Sequence, residues 1–173
     1  DTYRPALIEV TAHTQLSSYL MLRSGLDTIC VDQQVGEIFA QPYVSGIGGR
    51  IPLGVGVSGV VLLAMMENRS RDRACDMLTG KWAEWGITRD SIEAEIVNFR
   101  ATGFLCGIRR SHGIESLTLT LPILNNKWSG LAGALSVLAP LNLLDDKAQA
   151  ETLEIMKQAL ANAQAADEKM KRI

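Results

Sequence analysis

The sequence predicts an α+β domain, an antiparallel sheet with helices packed on it. Two short β-type runs, residues 17–23 and 26–32, flank Gly25 and read as a hairpin. Residues 117–123 alternate strictly: Leu117, Leu119, Leu121 and Ile123 point one way, Thr118, Thr120 and Pro122 the other. Between them lies a block of helix-period segments. Hairpins on either side of a helical block imply this architecture.

In chain order, Pro5 suits a first helical turn, and Ala6, Leu7 and Val10 follow at helical spacing. After the hairpin, residues 38–44 form a third extended run leading into a glycine-rich stretch, 45–59. The pattern then turns helical: Val60, Val61, Leu63, Ala64 and Met65 are apolar, with Ser58 placed to cap the free N–H groups. Ser70 is a candidate cap for a second helix ending near Gly80. Asp90 and Glu93 have the spacing of a capping box, Ile92, Ile96 and Phe99 make the buried stripe, and Gly103 sits where a C′ glycine belongs. Beyond residues 117–123, Asn125-Asn126-Lys127 supplies a turn and residues 131–138 return as a strand ended by Pro140. A long helix follows from Asp145, with Leu153, Met156 and Leu160 on its buried face.

The chain has 173 residues, 47% hydrophobic and 21% charged, which fits one domain over 1–173 with a full core. Its formal charge of −2 and pI near 5.7 do not provide a surface that grips phosphate backbones alone. The longest apolar run, from Val55 to Met66, is broken by Gly56, Ser58 and Gly59, so no membrane span is expected. Three scattered cysteines do not make a secreted disulfide framework, which points to the cytoplasm. The chain starts at Asp1 without a signal peptide, as a fragment or processed chain would.

Gly54-Val-Gly-Val-Ser-Gly59 matches the letters of a dinucleotide fingerprint, but Pro52 precedes it and Asp76 falls in a helical stretch. It reads instead as a tight loop bringing backbone close to something, before a helix start suited to a small anion. Cys106, His112 and Glu115 are close in sequence, yet no Cys-x-x-Cys or His-x-x-x-His is present, so neither metal nor cofactor is expected. No nucleophile motif such as Gly-x-Ser-x-Gly occurs, and the chain is not expected to be an enzyme. Arg69, Arg71 and Arg73 read as a solvated helix start.

Three blocks in order resemble the C-terminal effector-binding domain of IclR-type bacterial transcriptional regulators. They are LIEVTAHT (7–14) through CVD (30–32), GGRIPL (48–53) through Ser58-Gly59 and LLA (62–64), and FRATGF (99–104) through Leu121-Pro122 and ALSV (134–137) to Pro140. The resemblance implies a GAF-like fold with a small-molecule pocket in front of the sheet. It implies a homodimer or homotetramer whose DNA contacts come only from an N-terminal winged helix-turn-helix outside this chain. It also implies a metabolite effector, often a small organic or aromatic acid.

The sequence departs from the family pattern at Gly54 and Val60, where histidine and lysine are common. Leu105, Cys106 and Gly107 stand where an acidic pocket residue is frequent, Ser116 or Thr118 near a frequent cysteine, and Leu138 in place of a hydroxyl. These changes make the expected pocket less polar. The candidate effector contacts are Tyr43, Val57, Ser58, Gly59, Gly107, Thr118, Ser136 and Leu138. Of Arg109 and Arg110, strand alternation lets at most one face inward. The competing reading is a GAF-like redox sensor or enzyme using Cys106 or Cys30, which requires an exposed thiol of low pKa.

Overall fold

The computed structural model describes residues 2–124 and 132–172. Its elements are α1 (Arg4–Thr14), β1 (Ser17–Ser24), β2 (Asp27–Gln34), β3 (Arg50–Pro52), α2 (Val57–Ala64), α3 (Asn68–Glu84), α4 (Arg89–Thr102), β4 (Leu105–Ser111), β5 (Ile114–Ile123), β6 (Gly133–Pro140) and α5 (Asp146–Met170). Among the described residues six strands make one sheet, in the order β3-β2-β1-β6-β5-β4, with every neighbouring pair antiparallel. The α+β class follows directly from this arrangement.

Both faces of the sheet are covered. On one, Leu7 and Val10 of α1 and Met156 and Leu160 of α5 pack with Leu20, Leu119, Leu121 and Val137. On the other, α2 lies at the centre with all its residues buried, as a helix that is apolar all round must. It is flanked by Trp82 of α3 and by Ile92 and Ile96 of α4. Because of this second layer, Ser116, Thr118, Thr120 and Ser136 are buried although they form the polar side of their strands.

Several local expectations shift. Residues 38–44 form no strand. Ile38 makes an isolated bridge to Leu16, and the following chain, with Pro42 lacking an N–H, runs as a loop over the sheet. The edge strand is β3 instead, where Pro52 is tolerated as its last residue. The helix caps lie upstream of the residues anticipated. Glu67 rather than Ser70 accepts from the Arg69 and Ser70 N–H groups, and Thr88 rather than Asp90 accepts from Ser91. Helix α2 starts from Gly56, with Ser58 already inside its first turn. Arg71, expected in solvent, is buried on α3. Gly103 ends α4 at φ 82°, its N–H donating to the Phe99 carbonyl. The anticipated turn at Asn125-Asn126-Lys127 lies outside the described residues.

Candidate functional site

The site is built on the amino end of α2. Just before it, Gly54 adopts φ +89°, and a Cβ there would lie 2.7 Å from the Trp82 indole nitrogen. That indole donates to the Leu53 carbonyl at 2.6 Å. From β4, Arg109 donates to the carbonyls of Val55 at 2.9 Å and Gly54 at 3.3 Å. The same guanidinium grips Glu95 of α4 at 2.7 and 3.0 Å. The loop that delivers α2 is therefore held by side chains from two elements, α3 and β4.

The helix end so presented is open. Gly56 occupies the cap position and has no side chain to accept from the first turn. The Gly59 N–H donates to the Gly56 carbonyl at 3.1 Å, and the N–H groups of Val57 and Ser58, first in the helix, have no preceding turn of carbonyls to bond. Gly56, Val57 and Ser58 line a cavity of about 40 Å³. Six of the eight candidate contacts meet around it: Tyr43, Val57, Ser58, Thr118, Ser136 and Leu138.

Hydroxyl groups dominate its polar lining. Ser136 shares a 2.8 Å hydrogen bond with Thr120 beneath the cavity. Ser58 and Thr118 are only 6% and 7% exposed, and neither hydroxyl has a hydrogen-bond partner among the described residues. Tyr43 reaches in from the 38–44 loop, and its hydroxyl is buried without a partner. Burial pushes that hydroxyl up to about 12, against the pull of the Arg109 charge and with a further push from Glu115.

The remaining two candidates do not line the cavity. Gly59 is small because α2 sits on the backbone beneath it: a Cβ would come within 2.5 Å of the Gly54 nitrogen. Gly107 on β4 makes room for Val57 and Glu95, both within 3 Å of a Cβ placed there. Both glycines hold up the site by packing rather than by contact. Conversely, Tyr19, Met21, Ile51 and Gly56 line the cavity without having been singled out. Tyr19 and Met21 alternate on β1, but they reach the cavity through the pairing that sets Tyr19 opposite Ser136, a register between distant segments. Arg109 is the inward-facing member of its pair, while Arg110 meets Glu115 at the surface. Its donors are engaged by Glu95 and backbone carbonyls, so it brings no free cation to the cavity.

All three thiols lie in surroundings that disfavour the thiolate. Cys30 is fully buried, and burial pushes it up to about 11. Burial also raises Cys75 and the half-buried Cys106. A nucleophilic or redox thiol needs the opposite shift. Among the described residues no three His, Cys, Asp or Glu side chains are placed to share a metal ion, and Cys106, His112 and Glu115 do not converge. No described helix is long and apolar enough to cross a membrane.

No family model matches the sequence, and no curated protein does. Solved structures do match across nearly the whole chain. The Thermotoga maritima IclR superposes with TM-score 0.79 at 18% identity, covering 94% of this chain and 66% of that one. An IclR homologue from Microbacterium hydrocarbonoxydans, complexed with 4-hydroxybenzoate, gives 0.76 at 16% identity over 94% of this chain and 65% of its own. An IclR effector domain from Acinetobacter sp. ADP1 gives 0.76 at 14% identity, with 92% and 91% coverage. The chain thus has the fold of IclR effector domains and spans about two thirds of the length of the first two proteins.

Proposed function

We propose that this chain is the small-molecule sensing domain of an IclR-type bacterial transcriptional regulator, and that its effector is a small carboxylate with an apolar or aromatic body. It performs no chemistry of its own. The observation that carries this reading is the uncapped start of α2 beside the hydroxyls of two buried residues, Ser58 and Thr118, which open on the cavity and have no hydrogen-bond partner among the described residues. Opening on the cavity, these hydroxyls are free to donate to a ligand. Two N–H groups and two hydroxyls match the lone pairs of one carboxylate. A partly buried helix start stabilises an anion by up to ~2 kcal/mol, which suits a monoanion in a site where Arg109 is already paired. Val57, Leu138 and the Tyr43 ring supply the apolar wall. The 4-hydroxybenzoate held by the Microbacterium homologue supports the same ligand class.

DNA contact belongs to an N-terminal winged helix outside these residues, in keeping with the two-thirds share of the Thermotoga and Microbacterium proteins that the chain spans. In the cytoplasm the domain assembles as a homodimer or homotetramer. Sedimentation at micromolar concentration should show that association; a pure monomer contradicts it.

Thermal-shift measurements with benzoate and 4-hydroxybenzoate, against their neutral amides, test the ligand class. At a hundred times its dissociation constant a bound acid adds ~2.7 kcal/mol, which is roughly 5–11 °C for a domain of this size. Ser58→Ala should reduce the shift. Stabilisation by the amides and not by the acids overturns the anion reading.

A further inference from the structure

The geometry points to a two-chambered effector site in which Tyr43 is the gate, so that the effector is a carboxylate whose apolar body continues outward past Tyr43. This rests on the anion reading of the inner cavity and extends it to the length and orientation of the ligand. The inner cavity, at about 40 Å³, holds two or three waters, whereas a benzene-sized site measures about 150 Å³. An aromatic acid cannot enter it unless a wall moves.

Tyr43 is that wall. Its far side faces a second cavity of about 390 Å³, lined by Val55, Trp85, Ile87, Ile108 and the Arg109–Glu95 pair. Tyr43 is the residue the two linings share, with Val55 bordering the outer space and Gly56 and Val57 the inner one. The segment that carries it is lightly held: Ser116 Oγ donates to the Gln41 carbonyl at 3.5 Å, and Gln41 Nε2 to the Pro42 carbonyl at 3.5 Å. Both are at the limit of a hydrogen bond. Val44 anchors the segment in the α2 core on the other side. In the closed position the Tyr43 hydroxyl is buried without a partner. A swing outward gives it water or the ligand, so opening relieves an unmet hydrogen bond.

The chemistry of the outer space fixes which way the ligand lies. Trp85, Ile87 and Ile108 offer an apolar wall, with Trp85 and Ile108 half exposed at the mouth. The Arg109 donors are all engaged by Glu95, the Gly54 and Val55 carbonyls and the Ile108 carbonyl. Arg110 is paired with Glu115 at the rim. The outer space thus has no free cation for a carboxylate, whereas the inner one has free donors. The acid group goes inward and the apolar body outward.

The test is calorimetric titration of the full chain with benzoate and with biphenyl-4-carboxylate. The longer acid should bind at least tenfold tighter. Ile108→Trp fills the outer space from an exposed strand position; it should weaken biphenyl-4-carboxylate tenfold or more and leave benzoate within twofold. Tyr43→Phe removes the unpartnered hydroxyl, so it should raise the Tm and weaken both acids several-fold by favouring closure. If benzoate binds and the longer acid binds no tighter, or Ile108→Trp weakens both alike, the two-chamber inference is wrong and the anion reading stands. If neither acid binds, the anion reading fails and takes this inference with it.

Discussion

Two glycine-to-alanine substitutions, both inside helices, should act in opposite directions. Alanine in place of glycine ordinarily stabilises a helix by about 0.5–1 kcal/mol, because the glycine chain has more freedom to lose. Gly80 in α3 is exposed and has nothing within 4 Å of an added Cβ. Gly80→Ala should therefore raise the Tm by roughly 1–4 °C, at about 2–4 °C per kcal/mol for a chain of this length. At Gly59 the same atom would lie 2.5 Å from the Gly54 nitrogen, 2.8 Å from Thr28 Oγ1 and 3.2 Å from the Leu53 carbonyl carbon. The two backbone atoms belong to the loop held by Trp82 and Arg109, so they cannot withdraw. Overpacking of this kind costs about 1–3 kcal/mol, which exceeds the helix gain. Gly59→Ala should lower the Tm by several degrees and weaken carboxylate binding, because the open end of α2 must shift. Thermal unfolding followed by circular dichroism at one protein concentration reads both. A Tm for Gly59→Ala raised as much as that for Gly80→Ala would show that α2 does not sit on the Gly54 loop as described.

Two further outcomes follow from the same contacts. Arg109→Met removes the donors that hold Glu95 and the Gly54 and Val55 carbonyls; breaking a buried pair from one side costs about 3–5 kcal/mol, and adding Glu95→Gln should recover part of it in urea unfolding. A loss under about 1 kcal/mol, the range of surface pairs, would mean that the clamp contributes little. Burial holds the Cys30 thiol up at about 11 against an ordinary 9.0, so the folded chain keeps a proton that the unfolded chain releases. The stability tied to it is complete below pH 9 and is lost as pH rises from 9 to 11. At pH 8 a thiol reagent should modify half-buried Cys106 before Cys30, with Cys30 reacting only as the chain unfolds; rapid native labelling of Cys30 contradicts this.

What could be read from the sequence was local. The Pro5 helix start, the Gly25 hairpin, the Gly103 stop and the alternation of β5 each rest on a few neighbouring residues whose preferences agree with the fold. The starts of α2, α3 and α4 were displaced because several residues in each stretch can accept from a first turn, and tertiary placement chooses among them. Ser58 lost that role when the chain entered α2 at Gly56. The 38–44 run has apolar residues fit for a strand, yet β3 takes the edge of β2 and leaves the run to roof the sheet. The Arg109 clamp joins residues 54 and 55 positions apart, beyond any local pattern.

The sharpest limit concerns hydroxyls. Thr118 and Thr120 are the same residue two positions apart on one strand, and their sequence surroundings treat them alike. In the folded chain Thr120 bonds to Ser136, while Thr118 faces the cavity without a partner among the described residues. The difference arises from the β5–β6 register, which sets Thr120 opposite Ser136 and Thr118 opposite Leu138. Where the strand opposite offers a hydroxyl, the threonine is tied into the sheet; where it offers leucine, the hydroxyl is left open to the cavity. Leu138→Ser should therefore do more than add polarity. By giving Thr118 an internal partner, it should weaken carboxylate binding even as it adds a hydroxyl to the site.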